Sequence, residues 1–144
     1  LDEQGERLRS IGAEFGATTG RPRRCGWFDA VAAAYSCWIN GFTSLAVTKL
    51  DILDSFKKIN ICTGYMIDGT LVTDLPDTAD QEKAVPVYEA WDGWMCSTEH
   101  ARKWEDLPQR AQAYVNRLAE LTGAPVQFIS VGPERDQIII MDRS

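Results

Sequence analysis

Histidine is almost missing from this chain: His100 is the only one in 144 residues. The four cysteines, Cys25, Cys37, Cys62 and Cys96, include no C-x-x-C pair, so the sequence predicts free thiols and no metal site. No apolar run nears the roughly 20 residues of a membrane span, and no charged-then-apolar leader precedes the chain. A soluble, cytoplasmic protein is the expectation. A surplus of basic charge is also lacking. The formal net charge of −6 excludes a general nucleic-acid binder, which would carry a net basic face. An initiator Met is absent as well, so the chain is expected to be a piece of a longer protein. What is present, 44% hydrophobic residues with five Trp and no biased tract, suffices for one ordinary core, and residues 1–144 are expected to form a single domain.

Leu8, Ile11 and Phe15 fall at helical spacing and predict a short amphipathic lead-in. Phe28, Val31, Ala32, Tyr35, Trp38 and Ile39 form a helical stripe ended by Asn40-Gly41, which predicts a helix over 28–40 with Asp29 near its start. Thr43 to Lys49 reads as a buried strand that delivers Lys49 and Asp51 to an edge or cleft, followed by a helical turn over 51–56. Alternation from Ile59 to Ile67 before Asp68-Gly69 marks a hairpin, because Asp-Gly supplies the positive backbone angles of a type I′ turn. Residues 76–84 read as loop and 85–89 as a weak strand. Trp91, Trp94 and Trp104 read as packing residues. A helix from Pro108 to Gly123 and strands at 126–131 and 136–141 complete an α/β, mixed α+β pattern: helices packed on a mixed sheet with at least one antiparallel hairpin.

The densest chemistry lies in Gly-Ala-Thr-Thr-Gly-Arg-Pro-Arg-Arg-Cys-Gly-Trp, residues 16–27. Thr18 and Thr19 offer donors, Gly16 and Gly20 let successive amides converge, and Pro22 stiffens the chain between Arg21 and Arg23. Arginine's planar fork suits a carboxylate or phosphate. With no acid inside the loop, its guanidiniums are expected to repel one another. The same residues also read as a solvated turn. Thr48-Lys49-Leu50-Asp51 after an apolar strand resembles the Asn-Lys-x-Asp of small GTPases, in which the carboxylate accepts from guanine N1 and the exocyclic amino group while the Lys stem covers the base. A solvated strand edge is the other reading, and His100 reads as a surface side chain.

These motifs, followed by Leu-Pro…Thr-Gly-Ala-Pro…Ser-Val-Gly-Pro-Glu-Arg, together resemble the C-terminal third of adenylosuccinate synthetase over nearly the whole chain. The resemblance implies the C-terminal domain of such a fold, in an enzyme of purine biosynthesis that uses GTP and magnesium to join L-aspartate to IMP, giving adenylosuccinate, GDP and phosphate. It implies that Ala17, Thr18, Thr19, Gly20, Arg21, Pro22 and Arg23 bind aspartate. Arg21 would also touch IMP, and Arg23, Lys49, Leu50, Asp51, Ser130, Val131 and Gly132 would bind GTP. Family members are homodimers. The Gly-Asp-Glu-Gly-Lys-Gly phosphate loop has no counterpart here, so catalytic residues and metal ligands are expected outside this chain, which would be inactive alone. The alternatives are a non-enzymatic guanine-nucleotide or anion-binding module, and a basic-loop protein that takes an acidic peptide.

Overall fold

The computed structural model of the chain describes residues 3–141. Helix α1 (Glu3–Ile11) precedes the arginine loop, and β1 (Phe28–Asp29), α2 (Ala30–Asn40) and β2 (Leu45–Val47) follow it. Next come β3 (Lys58–Ile67), β4 (Thr70–Val72), α3 (Thr78–Gln81), β5 (Val85–Asp92), α4 (Gln109–Thr122), β6 (Val126–Ser130) and β7 (Ile138–Ile140).

Two mixed sheets result. In the first, β3 pairs in parallel with β1 and antiparallel with β4 and β5. Asp68 (φ 48) and Gly69 (φ 81) form the positive-φ hairpin turn expected between β3 and β4. In the second sheet β6 is central, parallel to β2 and antiparallel to β7. Leu50, Phe56, Ile59, Ile61, Val115, Leu118, Ile129, Val131 and Ile139 are fully buried, and they join both sheets to α4 in one hydrophobic cluster. Each such side chain contributes about 1.5–3 kcal/mol when withdrawn from water.

The predicted helix over 28–40 starts two residues later than expected, because Phe28 and Asp29 pair in parallel with Ile61 and Cys62. Asp29 does two jobs there. Its Oδ1 accepts from the Ala32 N–H at 3.0 Å, capping α2, and its Oδ2 accepts from the Tyr65 hydroxyl at 2.5 Å. Gly41, at φ 63, closes the other end of α2 in the left-handed conformation. The stripe through Tyr35, Trp38 and Ile39 faces outward, with Trp38 78% and Ile39 58% exposed, while Ala30, Val31 and Cys37 are buried. Ala30 joins the cluster that holds α4, while Val31 packs with Cys62, Tyr65 and Ile67 of β3.

Residues 76–84, expected to be loop, contain α3, whose first amides are capped by the Asp77 carboxylate. The strand expected at 85–89 continues to Asp92, since β3 offers a partner for each residue from Val85 to Asp92 apart from one register shift. At Gly93 the backbone passes so close to the turn before β3 that an added Cβ would stand 1.7 Å from the Phe56 carbonyl oxygen. All four thiols are free.

Candidate functional site

The arginine loop is a tight hairpin. Phe15 and Pro22 form an antiparallel bridge. Arg23 N–H donates to Glu14 O at 3.0 Å, Gly16 N–H to Arg21 O at 2.8 Å and Gly20 N–H to Gly16 O at 2.8 Å. Gly20 has φ 65, a conformation that favours glycine. Among the described residues the amides of Ala17, Thr18 and Thr19 at the tip have no protein acceptor, so they remain free to donate to a ligand. Thr19 Oγ1 accepts from the Arg21 amide at 3.4 Å. An open cavity of about 740 Å³ is bordered by Gly16, Thr19, Arg21, Pro22, Arg23 and Arg24. The guanidinium of Arg21 makes no hydrogen bond or ion pair among the described residues.

The expected mutual repulsion of the loop's arginines is relieved from just outside it. Glu14 Oε2 receives Arg23 Nη1 at 2.8 Å, and Glu14 Oε1 receives Lys49 Nζ at 2.5 Å. The Lys49 ammonium first, and then the Arg23 guanidinium, hold the Glu14 carboxyl below its usual range.

Lys49 stands at the carboxyl end of β2. Because β2 and β6 run in parallel, with Val47 opposite Ile129, residues 48–51 and 130–132 emerge on the same sheet edge, where open α/β sheets bind ligands. Lys49 itself is left-handed, at φ 58. Its N–H donates to Ser130 Oγ at 2.9 Å, and its ammonium also donates to the Gly12 carbonyl at 2.8 Å. Leu50 and Val131 point into the core, so only their backbones can serve a ligand. Gly132 lies against the buried Gln137, whose Oε1 would be 2.1 Å from an added Cβ and accepts from the Glu134 N–H at 2.9 Å.

Asp51 lies in a 3₁₀ turn over Leu50–Leu53. Its Oδ1 is buried without a hydrogen-bond partner among the described residues, and burial raises the carboxyl above its usual value. An acceptor withdrawn from water with no donor costs about 1–3 kcal/mol unless a ligand supplies one. Three residues on, Asp54 accepts from Trp94 Nε1 at 2.6 Å, Thr98 N–H at 2.7 Å and Thr98 Oγ1 at 3.0 Å, anchoring the turn to the segment after β5.

Of the residues singled out in the sequence, Arg23, Lys49 and Ser130 are thus joined through Glu14 and the Lys49 backbone, whereas Arg21 and Asp51 make no bond to each other. His100 is exposed. Glu14, Asp54 and Thr98 went unnoticed as site-builders. Asp54 closes the Thr-Lys-Leu-Asp-Ile-Leu-Asp motif, and Glu14 stands two residues before Gly16, but neither position carries a signal by itself. No group of three or more His, Cys, Asp or Glu side chains among the described residues could hold a metal ion. No described helix is long and apolar enough to cross a membrane.

A family model described as adenylosuccinate synthetase matches residues 1–139. The adenylosuccinate synthetase of Geobacter sulfurreducens is 53% identical over 142 residues, covering 98% of this chain and 33% of its own length. That of Chlorobaculum parvum is 54% identical over 140 residues, covering 96% of this chain and 32% of its own length. The structure of fully ligated adenylosuccinate synthetase from Plasmodium falciparum matches with a TM-score of 0.92 and 32% identity, over 98% of this chain and 34% of that one. The class these matches define is that of the synthetases they are named for. The chain belongs to the adenylosuccinate synthetase family, which bears out the family resemblance and the mixed α/β fold read from the sequence. It spans about a third of the length of the curated relatives it matches.

Proposed function

We propose that this chain is the part of an adenylosuccinate synthetase that grips L-aspartate and recognises the guanine of GTP, in an enzyme that joins aspartate to IMP to give adenylosuccinate, GDP and phosphate. The free amides of Ala17, Thr18 and Thr19, the threonine hydroxyls and the Arg21 fork are suited to the two carboxylates of aspartate. Arg21 would reach IMP as well. Arg23, held by Glu14, would face GTP, where positive charge opposes the negative charge that phosphoryl transfer spreads over oxygen. Lys49, Leu50, Asp51, Ser130, Val131 and Gly132 would frame the base.

The observation that carries this reading is the buried, unpartnered Oδ1 of Asp51 on the edge shared by β2 and β6. Guanine presents donors at N1 and its amino group to such an acceptor. In the intact enzyme, Asp51→Asn should move preference from GTP towards XTP by about one to two powers of ten, because xanthine carries an oxygen where guanine carries the amino group. Catalytic efficiencies with the two nucleotides measure this. An unmoved ratio in a folded variant overturns the guanine pocket.

The magnesium ion that the family requires and the groups that catalyse phosphoryl transfer would belong to the phosphate-loop part of the enzyme, whose Gly-Asp-Glu-Gly-Lys-Gly segment is not in this sequence. A cytoplasmic homodimer is part of the same reading. The core common to both sheets supports taking residues 1–144 as one domain. The order of the motifs supports a C-terminal position, whereas the shares covered give lengths, not positions. The parent reading frame decides: a glycine-rich phosphate loop upstream agrees with this position, and one downstream overturns it.

A further inference from the structure

We infer that Glu14 is a positioning residue that couples the two halves of the site, so that L-aspartate in the arginine loop tightens GTP at the Lys49–Asp51 segment and GTP tightens aspartate. This rests on the ligation reading above.

The Glu14 backbone forms the base of the hairpin: its N–H donates to Arg9 O at 2.9 Å and its carbonyl accepts from Arg23 N–H at 3.0 Å. Its backbone therefore moves with the hairpin, and its two ion pairs pass that motion to their partners. One oxygen holds Arg23 on the loop, and the other holds Lys49 on the guanine segment. Lys49 is fixed at its far end too, through its N–H on Ser130 Oγ, so a shift of the hairpin is transmitted through the Lys49 side chain to both guanine strips. Among the described residues this one carboxylate joins the Arg23 and Lys49 side chains, while the Lys49 ammonium is also held by the Gly12 carbonyl.

Stability alone does not account for the arrangement. The Lys49 and Arg23 side chains are 48% and 60% exposed, and ion pairs of such exposure contribute about 0–1 kcal/mol. Placement is what the pair of contacts supplies. Without Glu14 the Arg23 guanidinium would lose its hold and the Lys49 ammonium would keep only the Gly12 carbonyl, leaving each ligand to organise its own loop at its own entropic cost. With Glu14 in place, the first ligand to order one loop also orders the other, which lowers the cost for the second.

The test is calorimetric titration of the intact synthetase with GTP, in saturating IMP, with and without saturating L-aspartate, and the reciprocal titration. In the unmodified enzyme aspartate should tighten GTP about fivefold or more, and GTP should tighten aspartate by the same factor. Glu14→Gln, which keeps the shape and loses the charge, should bring both factors close to one while each ligand still binds. Lys49→Met, which weakens GTP itself as a residue framing the base, should also bring the factor close to one, and Lys49→Arg, which can still meet the carboxylate, should keep the factor. A merely structural Glu14 would shift the melting temperature and leave the factor alone. Equal factors in the unmodified enzyme and Glu14→Gln overturn the coupling, as does a factor of one in the unmodified enzyme. If the GTP-to-XTP switch of Asp51→Asn holds in either case, the ligation reading survives. An enzyme that binds no GTP overturns both.

Discussion

Lys49 and Ser130 lie 81 positions apart in sequence, and the backbone N–H of the first donates to Oγ of the second at 2.9 Å. The bond fixes residues 48–51 and 130–132 to each other at the ends of parallel strands. Ser130→Ala in the intact enzyme should remove about 1 kcal/mol of this constraint. KM for GTP is expected to rise about fivefold and KM for aspartate by less, since aspartate would meet this segment only through Glu14. Steady-state kinetics with each substrate varied in turn separates the two.

The Arg21 guanidinium has no partner among the described residues, while that of Arg23 is occupied by Glu14. Arg21→Leu should therefore spare the hairpin, whose bonds are backbone bonds, and remove a charge-assisted contact of about 1.5–3 kcal/mol. Aspartate use should fall by one to two powers of ten with the melting temperature unchanged. Unaltered aspartate dependence would make the loop a solvated turn.

Asp51 and Glu14 should respond to pH with opposite signs. Burial holds the Asp51 carboxyl above its ordinary value, so the folded state keeps a proton that the unfolded state has released, and stability falls as pH rises through that window. Above it the buried charge is a standing penalty. Asp51→Asn should then raise the melting temperature at about pH 7, and the gain should vanish below the ordinary carboxyl range. Glu14 is held low by Lys49 and Arg23, so its contribution is complete above its ordinary value and is lost as pH falls through its lowered one. Glu14→Gln should cost stability near neutrality and nothing in strong acid. Thermal melts of both variants across that range check the two signs.

Gly93→Ala should be severe without touching the site. Its Cβ would stand 1.7 Å from a backbone oxygen, which no side-chain rotation relieves, and Gly93 N–H is bonded to Lys57 O at 2.9 Å. A loss of about 3 kcal/mol is expected in denaturant unfolding. A loss below about 1 kcal/mol would show that the turn before β3 yields easily.

The parts of the fold that were legible in the sequence are those written in local chemistry. Asp29 and Gly41 cap α2, Gly123 ends α4 at φ 70, and Asp68-Gly69 turns β3 into β4, each by a preference that acts within a few residues. Lys49 and Asp51 were placed at a strand end for the same reason. What escaped depends on partners remote in sequence. Phe28 and Asp29 are strand only because Ile61 and Cys62 lie beside them, and β5 is long because β3 is. The apolar spacing through Tyr35, Trp38 and Ile39 was correct as a helical period and left open which face is buried, since the period says nothing of what neighbours a face. Glu14 is one acid among 21 Asp and Glu, and only the 35-residue return of the chain makes it a bridge to Lys49.

Lys49 combines a left-handed backbone with the ammonium that Glu14 receives. A non-glycine residue in that conformation carries about 1–2 kcal/mol of strain that glycine would not. A library of the enzyme sorted on heat resistance alone would thus be drawn to glycine at this position, enriching proteins that last longer and recognise their nucleotide less well. The same library sorted on growth without external purines should turn that substitution away, so the two selections would pull the sequence apart at a single codon.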